Sequence, residues 1–105
     1  MKIMKEWTTE EWETNSQSAN IAAYYLYAPM CGTCQVASKM MGVVEELLPS
    51  VKIGQANLNY VENIAVNQQI ESVPCLLIAE NGKIREKIYA FHSVPYLYNQ
   101  LKNNI

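Results

Sequence analysis

The segment from Ile21 to Tyr27 (IAAYYLY) is a nearly unbroken apolar and aromatic run. A strand buried on both faces, in a sheet covered by helices, carries this kind of pattern. The run stops at Ala28-Pro29, and the period then changes. From Cys34 to Leu48 the positions Val36, Met40, Val43, Val44, Leu47 and Leu48 recur at helical spacing until Pro49-Ser50 ends the element. The same alternation runs through the rest of the chain. Ile3 to Trp7 predicts a short first strand, and Thr8 with Glu11 forms a capping box that opens a helix to about Gln17. Val51 to Asn57 reads as a strand and Cys75 to Ala79 as another. Between them, Asn59 to Gln69 reads as a helix with Val61, Ile64, Ala65 and Gln68 on one side. Asn81-Gly82 predicts a tight turn into a strand over Ile84 to Tyr89, because this dipeptide tolerates the positive φ that a two-residue hairpin needs. Ser93 caps a last helix through Leu101, with Pro95 in its first turn, where a missing N–H does no harm.

This order predicts parallel βαβ units followed by an antiparallel hairpin: an α/β fold of three layers, with a central mixed sheet flanked by helices. The 105 residues, half of them apolar, suit one domain spanning residues 1–105 with a core that needs no disulfide staple or structural metal. Neither an internal repeat nor a linker interrupts it.

Charge narrows the partners. Eight basic residues stand against ten acidic ones, a net charge of −2, and no cluster of Lys and Arg is present to hold phosphates. Nucleic acid is therefore not an expected partner. The first twenty residues carry Trp7, Glu10, Glu11, Trp12 and Glu13 where a secretory leader needs a continuous apolar stretch. The expectation is a cytoplasmic chain with no membrane association. Cys31, Cys34 and Cys75 are an odd number of cysteines, which speaks against a disulfide framework and for a catalytic or metal-binding use.

Cys31 and Cys34 sit between the buried strand and the start of a long helix. A thiolate attacks a disulfide and a thiol does not, so a reactive cysteine needs its pKa brought down from about 8.5. The unpaired N–H groups and positive dipole end at a helix start favour a negative sulfur at Cys31. Gly32 and Thr33 hold Cys34 near enough to attack the mixed disulfide that Cys31 forms, which makes Cys31 the nucleophile and Cys34 the resolver. Spacing alone leaves half of a zinc site as an alternative.

The context is more specific: some forty residues on, Val73-Pro74 heads another strand. From first strand to last helix the chain resembles the thioredoxin family, Cys31-Gly32-Thr33-Cys34 matching its active-site motif and Val73-Pro74 its cis-proline loop. The resemblance implies a thioredoxin fold and a protein-disulfide oxidoreductase activity with no bound cofactor. It assigns catalysis to Cys31 and Cys34 and lays Met30, Gly32, Thr33, Val73 and Pro74 along the substrate surface. Disulfide-containing proteins are the implied substrates and a flavoprotein reductase of the thioredoxin-reductase kind the implied electron donor; the chain is expected to act as a monomer.

The sequence also leaves the family pattern. Met30 stands where the family has tryptophan, and Thr33 where it has proline. Thr33 restores a backbone N–H and adds a hydroxyl, both expected to support the Cys31 thiolate and make the couple less reducing. The family's buried aspartate falls on Tyr25 and its nearby lysine on Gln55, so Cys34 is expected to lack a carboxylate that takes its proton, and resolution is expected to be slow. Tyr25 reads as a core aromatic, as do Tyr24 and Tyr27, while Trp7 and Trp12 are expected to pack the first helix on the sheet. Cys75 follows Pro74 and is expected near the dithiol as a small buried residue. Met40 and Met41 read as core filler, and His92 is given no role. Two other functions stay open at this level: a metal or iron–sulfur site built from Cys31, Cys34 and Cys75, with His92 or a partner chain completing it, and a non-catalytic module that binds a partner around Val73 and Pro74.

Overall fold

The computed structural model describes residues 4–102. Five strands form one mixed sheet in the order β1-β3-β2-β4-β5. They are β1 (Lys5–Glu6), β2 (Ile21–Tyr27), β3 (Lys52–Asn57), β4 (Cys75–Glu80) and β5 (Lys83–Ile88). Four helices join them: α1 (Thr9–Ser18), α2 (Gly32–Leu47), α3 (Glu62–Asn67) and α4 (Val94–Lys102). β2 occupies the centre, as its uninterrupted apolar run predicts, and its side chains alternate between two cores. Ala23 and Tyr25 face α2 and α4, packing with Ala37, Met41, Val44, Leu97 and Leu101. Ala22, Tyr24 and Leu26 face α1 and α3, packing with Trp12 and Ile64.

The predicted element order holds, with local differences. The first strand is reduced to Lys5–Glu6, bonded to Gly54 and Gln55, and Ile3 lies outside the described residues. β1, β3 and β2 run parallel, but β4 enters antiparallel to β2 before the hairpin begins. The antiparallel part of the sheet therefore begins one strand earlier than the reading of parallel units and then a hairpin implies. The predicted helix over Asn59 to Gln69 splits into a 3₁₀ turn (Leu58–Tyr60) and the short α3, although Val61 and Ile64 are buried as its pattern requires.

Three local signals act as read. Thr8 and Glu11 form both halves of the capping box, at 3.1 and 3.0 Å. Asn81 and Gly82 turn at φ of 54° and 85°, joining β4 to β5. The Ser93 hydroxyl accepts the N–H of Tyr96 at 3.2 Å, capping α4. Trp7, Trp12 and Tyr24 stack together and fasten α1 to the sheet, and the Tyr24 hydroxyl donates to the Trp7 carbonyl at 2.6 Å.

The buried stripe of α2 differs from the predicted one. Ala37, Met41 and Val44 enter the core, whereas Val36 and Leu47 are each more than half exposed. Two apolar stripes run side by side on this helix, and local periodicity does not say which of them meets the sheet.

Candidate functional site

The loop from Ala28 to Met30 leaves the centre of the sheet and delivers Cys31 to the start of α2. Cys31 is the N-cap residue: its Sγ accepts the backbone N–H of Cys34 at 3.2 Å. The helix thus begins at Gly32, two residues before the predicted start, with the cysteine sulfur serving as its cap. Cys31 and Cys34 are joined as a disulfide, their Cα atoms 5.2 Å apart. Cys31 is half-buried and Cys34 is buried at 4% exposure, so the two residues differ in access.

The Thr33 hydroxyl lies 3.5 Å from Cys31 Sγ. The N–H that reaches this sulfur comes from Cys34, not from Thr33. Of the two groups Thr33 was expected to supply, the hydroxyl is the one at the sulfur. A Cβ added at Gly32 would meet nothing within 4 Å, so no close packing dictates a glycine there.

The Val73-Pro74 peptide bond is cis. Pro74 and Thr33 line one groove of about 370 Å³ together with Val36, Met40, Tyr89 and Phe91. Met40, expected as core filler, is thus partly a wall of this groove, while Met41 is fully buried. The Tyr89 hydroxyl accepts the N–H of Glu71 at 3.2 Å, and Lys87 Nζ donates to the Gln68 carbonyl at 2.7 Å. β5 and the residue after it thereby hold the segment that leads into Val73. Met30 is almost wholly exposed beside the dithiol, and Val73 is half-buried. Sequence reasoning missed Tyr89 and Phe91; their only local signal was a place at the end of a predicted strand and two residues beyond it.

Behind the dithiol, a second cleft of about 510 Å³ touches Cys31 and Cys34 and is walled by Tyr25, Tyr27, Gln55 and Lys39. Tyr25 is completely buried, as a core aromatic should be, and its hydroxyl donates to the Cys34 carbonyl at 2.6 Å. Burial holds this phenol far above the ordinary tyrosine range, so it stays protonated and accepts no proton from Cys34. Gln55 pairs with Tyr25 across β2 and β3 and donates its amide to the Met4 carbonyl at 3.2 Å. The charged pair expected at these two positions from the family pattern is thus replaced by neutral, hydrogen-bonded groups. Lys39 was not singled out by the sequence, because it lies five residues beyond Cys34 in an ordinary exposed helical position.

Cys75 is the small buried residue expected, but it faces the other core. It follows Pro74, but its side chain packs with Trp7, Trp12, Tyr24 and Leu77 on the α1–α3 side of the sheet, away from the layer that holds α2. The period of two along β4 decides this, since Leu76 takes the other face. Burial pushes the Cys75 thiol up to about 12, against the opposite pull of Lys87 and Tyr89, so it is a protonated core residue. No group of three or more His, Cys, Asp or Glu residues placed to hold a metal ion occurs among the described residues. His92 packs edge-on against Tyr96, 4.7 Å between ring centres, ahead of α4.

Comparison with known proteins agrees with this geometry. The family model for thioredoxin matches residues 3–103. The chain is 50% identical over 99 residues to the thioredoxin-like protein YusE of Bacillus subtilis (strain 168), covering 94% of this chain and 92% of that one. It is 31% identical to the thioredoxin domain-containing protein 5 homolog of Drosophila melanogaster, covering 96% of this chain and 26% of the longer protein. Among solved structures, a thioredoxin mutant from Halobacterium salinarum NRC-1 superposes with a TM-score of 0.87 at 15% identity, covering 96% of this chain and 88% of that one. Oxidised mitochondrial thioredoxin 3 of Saccharomyces cerevisiae does so with a TM-score of 0.85 at 17% identity, covering 95% and 94%.

Proposed function

This chain belongs to the thioredoxin family, and from there we propose that it reduces disulfides of protein substrates with Cys31 as nucleophile and Cys34 as resolver. The observation that carries the reading is the Cys31 sulfur at the N-cap of α2, accepting the Cys34 N–H at 3.2 Å. Unpaired amides and the helix dipole at that position favour the thiolate over the thiol.

In the reduced protein the Cys31 thiolate attacks one sulfur of the substrate disulfide. A Cys31–substrate bond forms, the substrate S–S bond breaks, and the other substrate sulfur leaves as a thiolate that takes a proton from solvent. Cys34, having lost its own proton, then attacks Cys31 Sγ. The Cys31–Cys34 bond forms, the second substrate thiolate departs, and the substrate has gained the two electrons the dithiol has lost. The groove walled by Thr33, Pro74, Tyr89 and Phe91 supports a role in holding the substrate segment next to its cysteine, with Met30 and Val73 flanking it. The Thr33 hydroxyl near Cys31 Sγ favours the reduced form, in line with a couple less reducing than that of thioredoxins with proline at this position. Electrons would come from a flavoprotein reductase in the cytoplasm, the chain acting as a monomer. No helix among the described residues is long and apolar enough to cross a membrane.

Insulin reduction driven by dithiothreitol, followed as turbidity, tests catalysis. Cys31→Ser should abolish it, and Cys34→Ser should trap a mixed disulfide with insulin that mass spectrometry resolves. The role assignment is reversed if Cys34→Ser is inert while Cys31→Ser still captures substrate. A wild-type protein that binds insulin without accelerating its reduction would instead be a binding module.

A further inference from the structure

The cleft of about 510 Å³ behind the dithiol shares no lining residue with the substrate groove. It touches both sulfur-bearing residues, Cys31 and Cys34. Resolution requires Cys34 to become a thiolate, and at 4% exposure that sulfur has little water of its own. Desolvation raises the pKa of such a thiol and slows the step at neutral pH.

The groups facing the cleft from each element differ in what they offer. From β2, Tyr25 has committed its hydroxyl hydrogen to the Cys34 carbonyl. Tyr27, on the same strand, donates at 3.0 Å to Glu6 Oε2 on β1, and burial followed by Glu6 pushes its phenol up to about 12. Both phenols are neutral at physiological pH. From β3, Gln55 is a neutral amide turned toward the Met4 carbonyl. From α2 come Gln35, Ser38 and Lys39. Of the described residues lining the cleft, Lys39 alone carries a formal charge, and the Glu6 carboxylate stands behind Tyr27. A long stem on an exposed helical position lets a lysine cover a cleft wall while its ammonium stays hydrated.

We infer that the Lys39 ammonium stabilises the Cys34 thiolate during resolution, supplying by charge attraction what a proton-accepting carboxylate supplies in the family pattern. The inference rests on the dithiol reading above and deepens it. Lys39 takes no proton. The Cys34 proton leaves to solvent through the cleft, the thiolate that remains sits in the field of the cation, and it attacks Cys31 Sγ as the Cys31–substrate bond breaks.

A neutral dipyridyl disulfide separates the steps, since one thiopyridone is released as Cys31 attacks and a second as Cys34 resolves. Equimolar reagent and reduced full-length protein, mixed in a stopped-flow instrument across a pH series, give two absorbance phases. The second is unimolecular. Lys39→Met should move the pH midpoint of the second phase up by about one pH unit and slow it about tenfold at neutral pH, the rate following the thiolate fraction. Lys39→Arg, which keeps the charge, should stay within about twofold of wild type, whereas a merely structural role for the lysine stem would leave Lys39→Met unchanged as well. A second phase whose midpoint is unchanged in Lys39→Met overturns the inference while leaving the dithiol reading intact. A first phase that survives in Cys31→Ser overturns the dithiol reading itself.

Discussion

Replacing Tyr25 by aspartate puts a carboxylate where the family pattern has one, and the structure sets the cost. The tyrosine ring is completely buried, 5.7 Å from Phe91 edge-on and 6.1 Å from Tyr27, and its hydroxyl holds the Cys34 carbonyl. Truncating a buried aromatic costs about 3–5 kcal/mol through lost burial and the cavity left behind. The lost hydrogen bond adds about 1 kcal/mol. Against a total stability of about 5–15 kcal/mol for a domain of this kind, the variant keeps a narrow margin. The carboxyl itself adds a pH dependence of known sign. Burial raises its folded pKa above the unfolded value of about 3.9, so the folded state binds the proton more tightly. Stability is therefore greatest below the unfolded pKa and falls as pH rises through the folded pKa, losing about 1.4 kcal/mol for each pH unit that separates the two values. Urea denaturation of wild type, Tyr25→Phe and Tyr25→Asp at acidic and neutral pH measures each part. Tyr25→Phe, keeping the ring, should lose only about 1–2 kcal/mol and show no added pH dependence. If it folds, Tyr25→Asp should also speed resolution at neutral pH, because a base then stands beside Cys34. A Tyr25→Asp protein as stable as Tyr25→Phe and equally stable at both pH values would refute the packing argument. A resolution rate already fast and independent of pH in wild type would refute the need for a base.

Gly54→Ala should destabilise the fold by about 1–3 kcal/mol by chemical denaturation, because a Cβ at this position would collide with the Trp7 ring. Reduced native protein should be alkylated at Cys31 and leave Cys75 unmodified until it is unfolded, as peptide mapping would show, because the Cys75 thiol is buried and pushed up to about 12. The same raised thiol binds its proton more tightly in the folded state, so stability should fall as pH rises from about 9 toward 12, and Cys75→Ala should flatten part of that fall in alkaline denaturation curves. Thr33→Val removes the hydroxyl near Cys31 Sγ while keeping side-chain size and the backbone N–H; it should raise the thiolate pKa of Cys31 in absorbance titrations and make the couple more reducing in glutathione buffers.

The parts of this protein legible in its sequence are those decided within a few residues. The β2 run, the Thr8–Glu11 capping box, the positive-φ turn at Asn81-Gly82 and the dithiol at the opening of α2 each depend on neighbours along the chain. Local chemistry and period fix such features wherever the chain then goes. Which apolar stripe of α2 meets the sheet depends on how the helix is docked, and the exposure of Val36 and Leu47 follows from that docking. Gly54 looks like any strand glycine until Trp7, brought alongside by the β1–β3 pairing, lies on it. Cys75 adjoins Pro74 in sequence yet points into the opposite core, because strand alternation assigns faces only once the sheet has two covered sides. Lys39, Tyr27 and Gln55 come from α2, β2 and β3, and only the packing of those elements makes them walls of one cleft at Cys34. Charge, access and proton supply at the resolving sulfur are properties of that shared space. They belong to the tertiary structure because no stretch of chain contains them.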